Sequence, residues 1–213
     1  MKNSNKIYFY IAANLAFLIP VPGRFAYAVI MLVLFNIQMA TITLLFHAVH
    51  HMQLAEMRNA ILSLTIVGLA IFYKQLLALY CPDAALTLGY CIFLPTLASV
   101  VIDFFFLDYK KGLKQHLTSN MIKSGTMTLF SLVFFLFRDI VGYGTLTLPS
   151  WKHITVLHVP YNPESTGASV FLATIPGSLV LISVLLALYI FFSKKFSVFG
   201  HSTFKNGGEI EHA

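Results

Sequence analysis

The sequence predicts an all-α, polytopic membrane protein with six transmembrane helices in two inverted three-helix halves. Composition is the first reason, because 58% of the residues are hydrophobic and only 10% are charged. The second is that the apolar residues fall into runs, and crossing a bilayer takes about 20 apolar residues per helix. The third is a pair of broken helices, near Pro20 and Pro95, in corresponding positions of the two halves.

The predicted spans are separated by stretches in which charged residues, proline or glycine collect. They cover residues 7–20, 25–46, 60–80, 85–107, 126–142 and 169–192. We expect residues 1–195 to form a single transmembrane domain and residues 196–213 to form a mobile cytoplasmic tail.

The basic residues between the spans predict that both termini are cytoplasmic. With that orientation, only Arg24 and Lys152 lie outside, and cytoplasmic segments are those that collect Lys and Arg. The basic residues predicted inside are Lys2, Lys6, Arg58, Lys110, Lys111, Lys114, Lys123, Lys194, Lys195 and Lys205.

Each predicted half begins with an interrupted helix. The first span ends in Pro20-Val21-Pro22-Gly23, which cannot continue a regular helix. The fourth contains Pro95, and Ile92-Phe93-Leu94-Pro95 repeats the pattern of Phe17-Leu18-Ile19-Pro20. Interrupted segments in corresponding places of inverted halves indicate a functional junction at the bilayer midplane. The alternative is two ordinary proline kinks.

Four charged residues fall within or beside predicted spans: Lys74, Asp103, Arg138 and Asp139. Charge inside a bilayer is costly and often functional, so Asp103 or Asp139 could relay an ion or proton. The structural alternative is that Lys74 and Asp103 snorkel or pair. In that case Arg138, with Asp139, anchors the turn at Gly142 and Gly144 by donating to carbonyls at the helix end.

Three histidines, His47, His50 and His51, share one face of the second span. They could hold a metal only with further ligands, such as Glu56 or a residue of a partner, and are otherwise interface residues. The expectation is that this chain has no metal site of its own. Cys81 and Cys91 fit neither zinc nor haem spacing and are expected to be structural thiols.

Some classes of function are excluded by what the sequence lacks. The basic residues form no stripe with interleaved aromatics, so we expect no nucleic-acid partner. No nucleophile constellation, phosphate-binding glycine loop or paired carboxylates occur, so a self-contained enzyme is not expected. The lipid bilayer and other membrane subunits are the expected partners.

The segment Phe137-Arg138-Asp139-Ile140-Val141-Gly142-Tyr143-Gly144-Thr145-Leu146 resembles a signature of the E subunit of the Rnf ion-translocating oxidoreductase. That subunit is related to the D subunit of the sodium-pumping NADH:quinone reductase. Shorter stretches are similar in the same order: Ala55-Glu56-Met57-Arg58, Leu88-Gly89, Ile175-Pro176-Gly177-Ser178 and Leu185-Leu186-Ala187. The resemblance implies a bacterial inner-membrane complex, a sister subunit of opposite topology, and electron transfer that drives sodium ions or protons.

This chain departs from the family at the iron ligands. The resemblance implies a cysteine at each helix break, and those places fall on Ile19 and on Ser99 or Val101. None of these side chains supplies the thiolate or imidazole that an iron–sulfur centre needs. We therefore expect no cofactor bound by this chain alone, while partner subunits would carry an iron–sulfur centre and flavin.

Two functions follow as expectations. The first is a non-catalytic membrane subunit of an electron-transport-driven, ion-translocating oxidoreductase. The second is a non-redox transporter-like or scaffold subunit derived from the same inverted-repeat architecture.

Overall fold

The chain folds into a mainly helical bundle with one small β-hairpin, as seen in a computed structural model. The structure describes residues 19–52, 56–97, 113–150, 153–159 and 171–205. The helices are α1 (Phe25–His51), α2 (Arg58–Tyr80), α3 (Pro82–Leu88), α4 (Leu113–Tyr143) and α5 (Ile175–Lys205), with a 3₁₀ helix at Gly89–Phe93. The strands are β1 (Thr145–Pro149) and β2 (Ile154–His158).

The length and composition of the long helices suit a membrane. Within the described part of the chain, Phe25–Val49, Arg58–Tyr80 and Leu113–Tyr143 are long and apolar enough to cross a bilayer, and Ile175–Leu188 is a shorter apolar segment. The outer face of α2 is apolar, since Leu64, Phe72 and Leu79 are 63–77% exposed. A surface of this kind suits contact with lipid.

Helix α1 lies at the centre of the bundle. It packs most extensively against α4, and α2 lies against another side. The core side chains Met31, Leu34 and Ile42 are fully buried. Helix α2 is joined to α1 by Tyr73, whose hydroxyl donates a hydrogen bond of 2.9 Å to the carbonyl of Ile30.

The described helices agree with the second, third and fifth predicted spans, although α4 begins well before residue 126. Most of the first span and the end of the fourth lie outside the described residues. Helix α5 continues to Lys205, into the segment predicted as a tail. The six-helix, inverted-repeat arrangement therefore stays a prediction.

The hairpin corrects the expectation of a wholly α-helical fold. Strand β1 pairs antiparallel with β2, from Thr145 opposite His158 to Pro149 opposite Ile154. Strand β1 alternates threonine with leucine, and β2 begins with three β-branched residues, Ile154-Thr155-Val156, and both patterns favour a strand. Each strand is only five residues long, so neither pattern stands out beside the long apolar runs of the helices.

The interruption in the fourth predicted span lies before Pro95. The chain is α-helical over Pro82–Leu88, turns at Gly89 with φ of 46°, and continues as a 3₁₀ helix to Phe93. Residues 94–97, including Pro95, are α-helical. Because proline fits the first turn of a helix, Pro95 begins a new helical segment, and Gly89 supplies the left-handed conformation that breaks the old one.

Candidate functional site

The last turns of α4 carry a buried arginine that joins three separate segments. The guanidinium of Arg138 donates through Nη1 to the carbonyl of Val21, at 3.1 Å, and through Nη2 to that of Ala173, at 2.9 Å. Arg138 is only 2% exposed. Its planar fork thereby links α4 both to the proline-containing segment before α1 and to the segment before α5.

These carbonyls are not the ones that the sequence predicted. Arg138 was expected to bond the carbonyls at the end of its own helix, before Gly142. That end is closed by the backbone instead, because the N–H of Gly144, at φ of 63°, donates to the carbonyl of Ile140 over 3.0 Å. Arg138 is consequently available to reach other segments.

Asp139 holds the beginning of α1 against the beginning of β1. Its Oδ2 accepts from the backbone N–H groups of Phe25 (3.1 Å) and Thr147 (2.8 Å) and from the Thr147 hydroxyl (2.7 Å). Its Oδ1 accepts from the Thr145 hydroxyl over 3.0 Å. Because the carboxylate is fully buried and its four donors are uncharged, these bonds replace its hydration.

Thr147 extends this cap of α1. Its hydroxyl oxygen accepts from the backbone N–H of Ala26 over 3.1 Å while its hydrogen goes to Asp139. The first helical N–H groups have no partner within a helix, so a carboxylate at this end also meets the positive end of the helix dipole. We name the set of Val21, Phe25, Arg138, Asp139, Thr147 and Ala173 the Arg138–Asp139 junction.

Two glycines permit the close packing of this junction. A methyl group placed on Gly23 would lie 2.6 Å from Nε of Arg138, and one on Gly142 would lie 3.2 Å from Cβ of Ala173. The predicted turn residues Gly142 and Gly144 thus have different roles, since the first allows contact with the segment before α5 and the second ends α4.

The two proline-containing segments approach each other. Sγ of Cys91, in the 3₁₀ helix, lies 3.9 Å from the carbonyl oxygen of Pro20. Ile19 precedes Pro20, and Pro95 follows Cys91 by four residues. Both side chains are buried. Ser99 and Val101, the other predicted junction residues, lie outside the described residues.

A buried amide lies halfway along α1. Nε2 of Gln38 donates to the Thr96 hydroxyl over 2.8 Å, which joins α1 to the helical residues after Pro95. Oε1 of Gln38 has no hydrogen-bond partner within the described part of the chain.

The other candidate relay residues lie apart from Asp139. Lys74 is half-buried on α2, with its Nζ 5.6 Å from the ring centroid of Tyr90 and 5.9 Å from that of Phe93. These cation–π contacts give Lys74 a structural partner. Asp103 lies outside the described residues.

A second polar set, which the sequence reading missed, runs between α1 and α4. Asn36 donates to the Thr128 hydroxyl over 2.8 Å and accepts from the Ser124 hydroxyl over 2.7 Å. Nearer the other end of α1, Asn120 donates to the Thr43 hydroxyl over 3.1 Å. We name this set, with His47 and His116, the polar seam.

A signal for the polar seam was present in the sequence. His116, Asn120, Ser124 and Thr128 recur at every fourth position, which places them on one helix face. The first three precede the apolar run that predicts the fifth span. The span predicted from hydropathy therefore begins after them, although the helix begins at Leu113.

One of the three predicted histidines pairs with another helix. His47 contacts His116 of α4, with 3.4 Å between Nε2 of His47 and Nδ1 of His116. His51 and Glu56 are exposed. The described residues contain no group of three or more His, Cys, Asp or Glu side chains that could hold a metal ion.

No protein-family model matches the chain, and no curated protein sequence matches it.

Proposed function

We propose that this chain is an integral membrane subunit of an electron-transport-driven, ion-translocating oxidoreductase complex of the Rnf/Nqr kind. Its role there is to hold the membrane helices in place and to contact a sister subunit of opposite topology. The chain binds no redox cofactor alone, and an iron–sulfur centre and flavin belong to partner subunits. The complex lies in a bacterial inner membrane with both termini of this chain in the cytoplasm.

The observation that carries this proposal is the Arg138–Asp139 junction. Two residues of the stretch by which the chain resembles the family carry its contacts: Arg138 fastens α4 to Val21, and Asp139 binds the N–H of Phe25 at the start of α1. A signature used for this purpose keeps an irregular backbone segment ordered inside a membrane, where loose backbone groups are costly.

The contact between Cys91 and Pro20 supports the same proposal. It brings the two interrupted segments together, as a junction between inverted halves requires. Ile19 stands where the family has an iron ligand, and its hydrocarbon side chain offers no ligand atom. The interrupted helices can therefore meet without this chain holding iron.

The test is to purify the tagged full-length chain from its own membrane in mild detergent. We expect a stable complex with at least one other polytopic subunit, and iron and flavin that follow the partner subunits on dissociation. Iron that stays with this chain alone, or a homo-oligomer without other subunits, would refute the proposal. As a gain-of-function arm, Ile19→Cys with Ser99→Cys is expected to increase the iron content of the complex.

The polar seam favours a second candidate, a transporter-like or scaffold subunit without redox chemistry. Partly buried Asn36 and buried Asn120 and Ser124 lie between two apolar helices, as expected for polar groups that line an ion path. A homodimer that carries ions in reconstituted vesicles without an electron donor would favour this alternative.

A further inference from the structure

Two histidines face each other at the end of the polar seam. His47 lies near the end of α1 and His116 near the beginning of α4, and their ring centroids are 5.5 Å apart with the planes at 65°. The facing atoms are Nε2 of His47 and Nδ1 of His116, 3.4 Å apart. His116 is only 3% exposed. The space between the rings fits a single shared hydrogen.

The surrounding hydrogen bonds determine where that hydrogen lies in the neutral pair. The Thr43 hydroxyl donates to the carbonyl of Met39 over 2.8 Å, so its oxygen accepts from Nδ2 of Asn120. The same amide nitrogen lies 3.3 Å from Nε2 of His116. With an amide donor facing it, Nε2 must accept. A neutral imidazole has one N–H, so His116 carries it on Nδ1 and donates to His47.

We propose that His47 and His116 form a binding site for one proton, and that the arrival of this proton reverses the side-chain amide of Asn120. If His116 carries the positive charge, both of its nitrogens donate. If His47 carries the positive charge, Nε2 of His47 donates to Nδ1 of His116. The one hydrogen of the His116 ring then lies on Nε2 of His116. In either case Nε2 of His116 becomes a donor and needs the Oδ1 of Asn120 as its acceptor.

The reversal transmits protonation along the polar seam. Asn120 Nδ2 no longer donates to the Thr43 hydroxyl once Oδ1 faces His116. The proton comes from water and returns to water, so no bond between heavier atoms forms or breaks and no electron moves. This site lies at the opposite end of α1 from the Arg138–Asp139 junction, and it does not depend on the proposed oxidoreductase complex.

The charges around the pair favour one proton over two. The ring of Phe46 packs edge-on against both histidines, with centroids 5.6 Å from His47 and 5.8 Å from His116. The guanidinium of Arg58, from α2, lies 5.5 Å from the Phe46 ring centroid. A second proton on the pair would be repelled by the first, and Arg58 places a further positive charge beside the Phe46 ring.

Three further titratable side chains among the described residues near this end are exposed. They are His51 of α1, Glu56 before α2 and Lys114 of α4. Among the acidic side chains of the described residues, Asp83 and Asp139 lie at the other end of the bundle, so Glu56 is the one carboxylate near the pair.

The test is solid-state NMR of the full-length chain, labelled with ¹⁵N-histidine, in lipid vesicles over a range of pH. At alkaline pH we expect His116 as the Nδ1–H tautomer, with Nε2 bearing no hydrogen. Asn120→Asp replaces the amide donor by a carboxylate acceptor, so His116 is expected as the Nε2–H tautomer at the same pH. A wild-type His116 that is already Nε2–H would overturn the proposal.

His47→Gln is the second variant, at a partly exposed position where an amide oxygen can still accept from Nδ1 of His116. Without a second base to share the proton, we expect the proton affinity of His116 to fall by about tenfold. His51→Gln, at an exposed histidine of the same helix, is the matched control and is expected to leave it unchanged. Equal titration of His116 in wild type and His47→Gln would show that the histidines bind protons independently.

Discussion

The carboxylate of Asp139 accepts a hydrogen bond from the backbone N–H of Phe25 over 3.1 Å, although 114 positions separate the two residues. The beginning of α1 is therefore set by a side chain from the end of α4. Local sequence before α1 offers no Ser, Thr, Asp or Asn cap, since Arg24 precedes Phe25. The cap is instead a tertiary contact, which couples the start of α1 to the packing of α4.

Two substitutions of Asp139 should destabilise the fold to different extents. Asp139→Ala leaves buried backbone donors without an acceptor, and we expect a loss of about 3 kcal/mol or more in the free energy of unfolding. Asp139→Asn keeps an acceptor oxygen and should lose only about 1–2 kcal/mol. Thermal unfolding in mild detergent shows which variant is less stable. Asp83→Ala, at an exposed carboxylate, is the control. If Asp139→Asn were as stable as the wild type but no longer supported ion transport, the relay role of Asp139 would be favoured instead.

Substitution of Arg138 should show that its two-pronged geometry matters as well as its charge. A lysine keeps the charge but cannot reach the carbonyls of Val21 and Ala173 together. We expect Arg138→Lys to recover only part of the loss of Arg138→Ala, which is about 3–5 kcal/mol for a broken buried charge network. The amount of monodisperse protein after detergent extraction measures this.

Arg24→Lys provides the comparison for Arg138. The guanidinium of Arg24 lies 5.7 Å from the centroid of the Tyr143 ring, and a lysine can keep that contact. If Arg138→Lys behaved like Arg24→Lys, the two hydrogen bonds to carbonyls would not be what stabilises the junction.

A glycine pair tests how tightly the segment around Pro20 packs on Arg138. In Gly23→Ala the new methyl would lie 2.6 Å from Nε of Arg138, so the guanidinium must shift and weaken its bonds. We expect a loss of about 1–3 kcal/mol, as for other overpacked sites. Gly68→Ala is matched to it, because nothing lies within 4 Å of that position and alanine favours a helix. A gain of up to about 1 kcal/mol is expected there, and equal effects at both glycines would contradict the packing.

The sequence predicted the features that depend on composition and local breaks. The bounds of α1 and α2 follow from long apolar runs, and the role of Gly144 at the end of α4 follows from backbone chemistry. Partners of buried polar groups could not be read in this way. Nothing local in the sequence connects Asp139 to Phe25 or His47 to His116, because these pairs form only when α4 packs along α1.

The predicted orientation can be tested with single cysteines in a background without Cys81 and Cys91. A cysteine at Ser150, exposed beside the hairpin turn, should react with a membrane-impermeant maleimide added to intact cells. One at Glu56, also exposed but at the other end of α2 from the hairpin, should react only after the membrane is opened. The reverse pattern would overturn the predicted placement of the termini.

The approach of the two interrupted segments makes the last prediction, a disulfide between Cys91 and a cysteine introduced at position 20. Sγ of Cys91 is 3.9 Å from the Pro20 carbonyl oxygen, and a disulfide needs a Cα–Cα distance of about 4.4–6.8 Å, so the bridge tests how closely the two segments approach. Pro20 is exposed, which lets an oxidant reach the new thiol. We expect Pro20→Cys to form an intramolecular bond on mild oxidation, seen as a reducible change in gel mobility and as a linked peptide pair in mass spectrometry. Pro20→Cys combined with Cys91→Ser should not form it, whereas a link that persisted in this double variant would involve Cys81. Free thiols at both positions after oxidation of the folded single variant would show that the segments do not meet, and the proposed junction between inverted halves would lose its main geometric support.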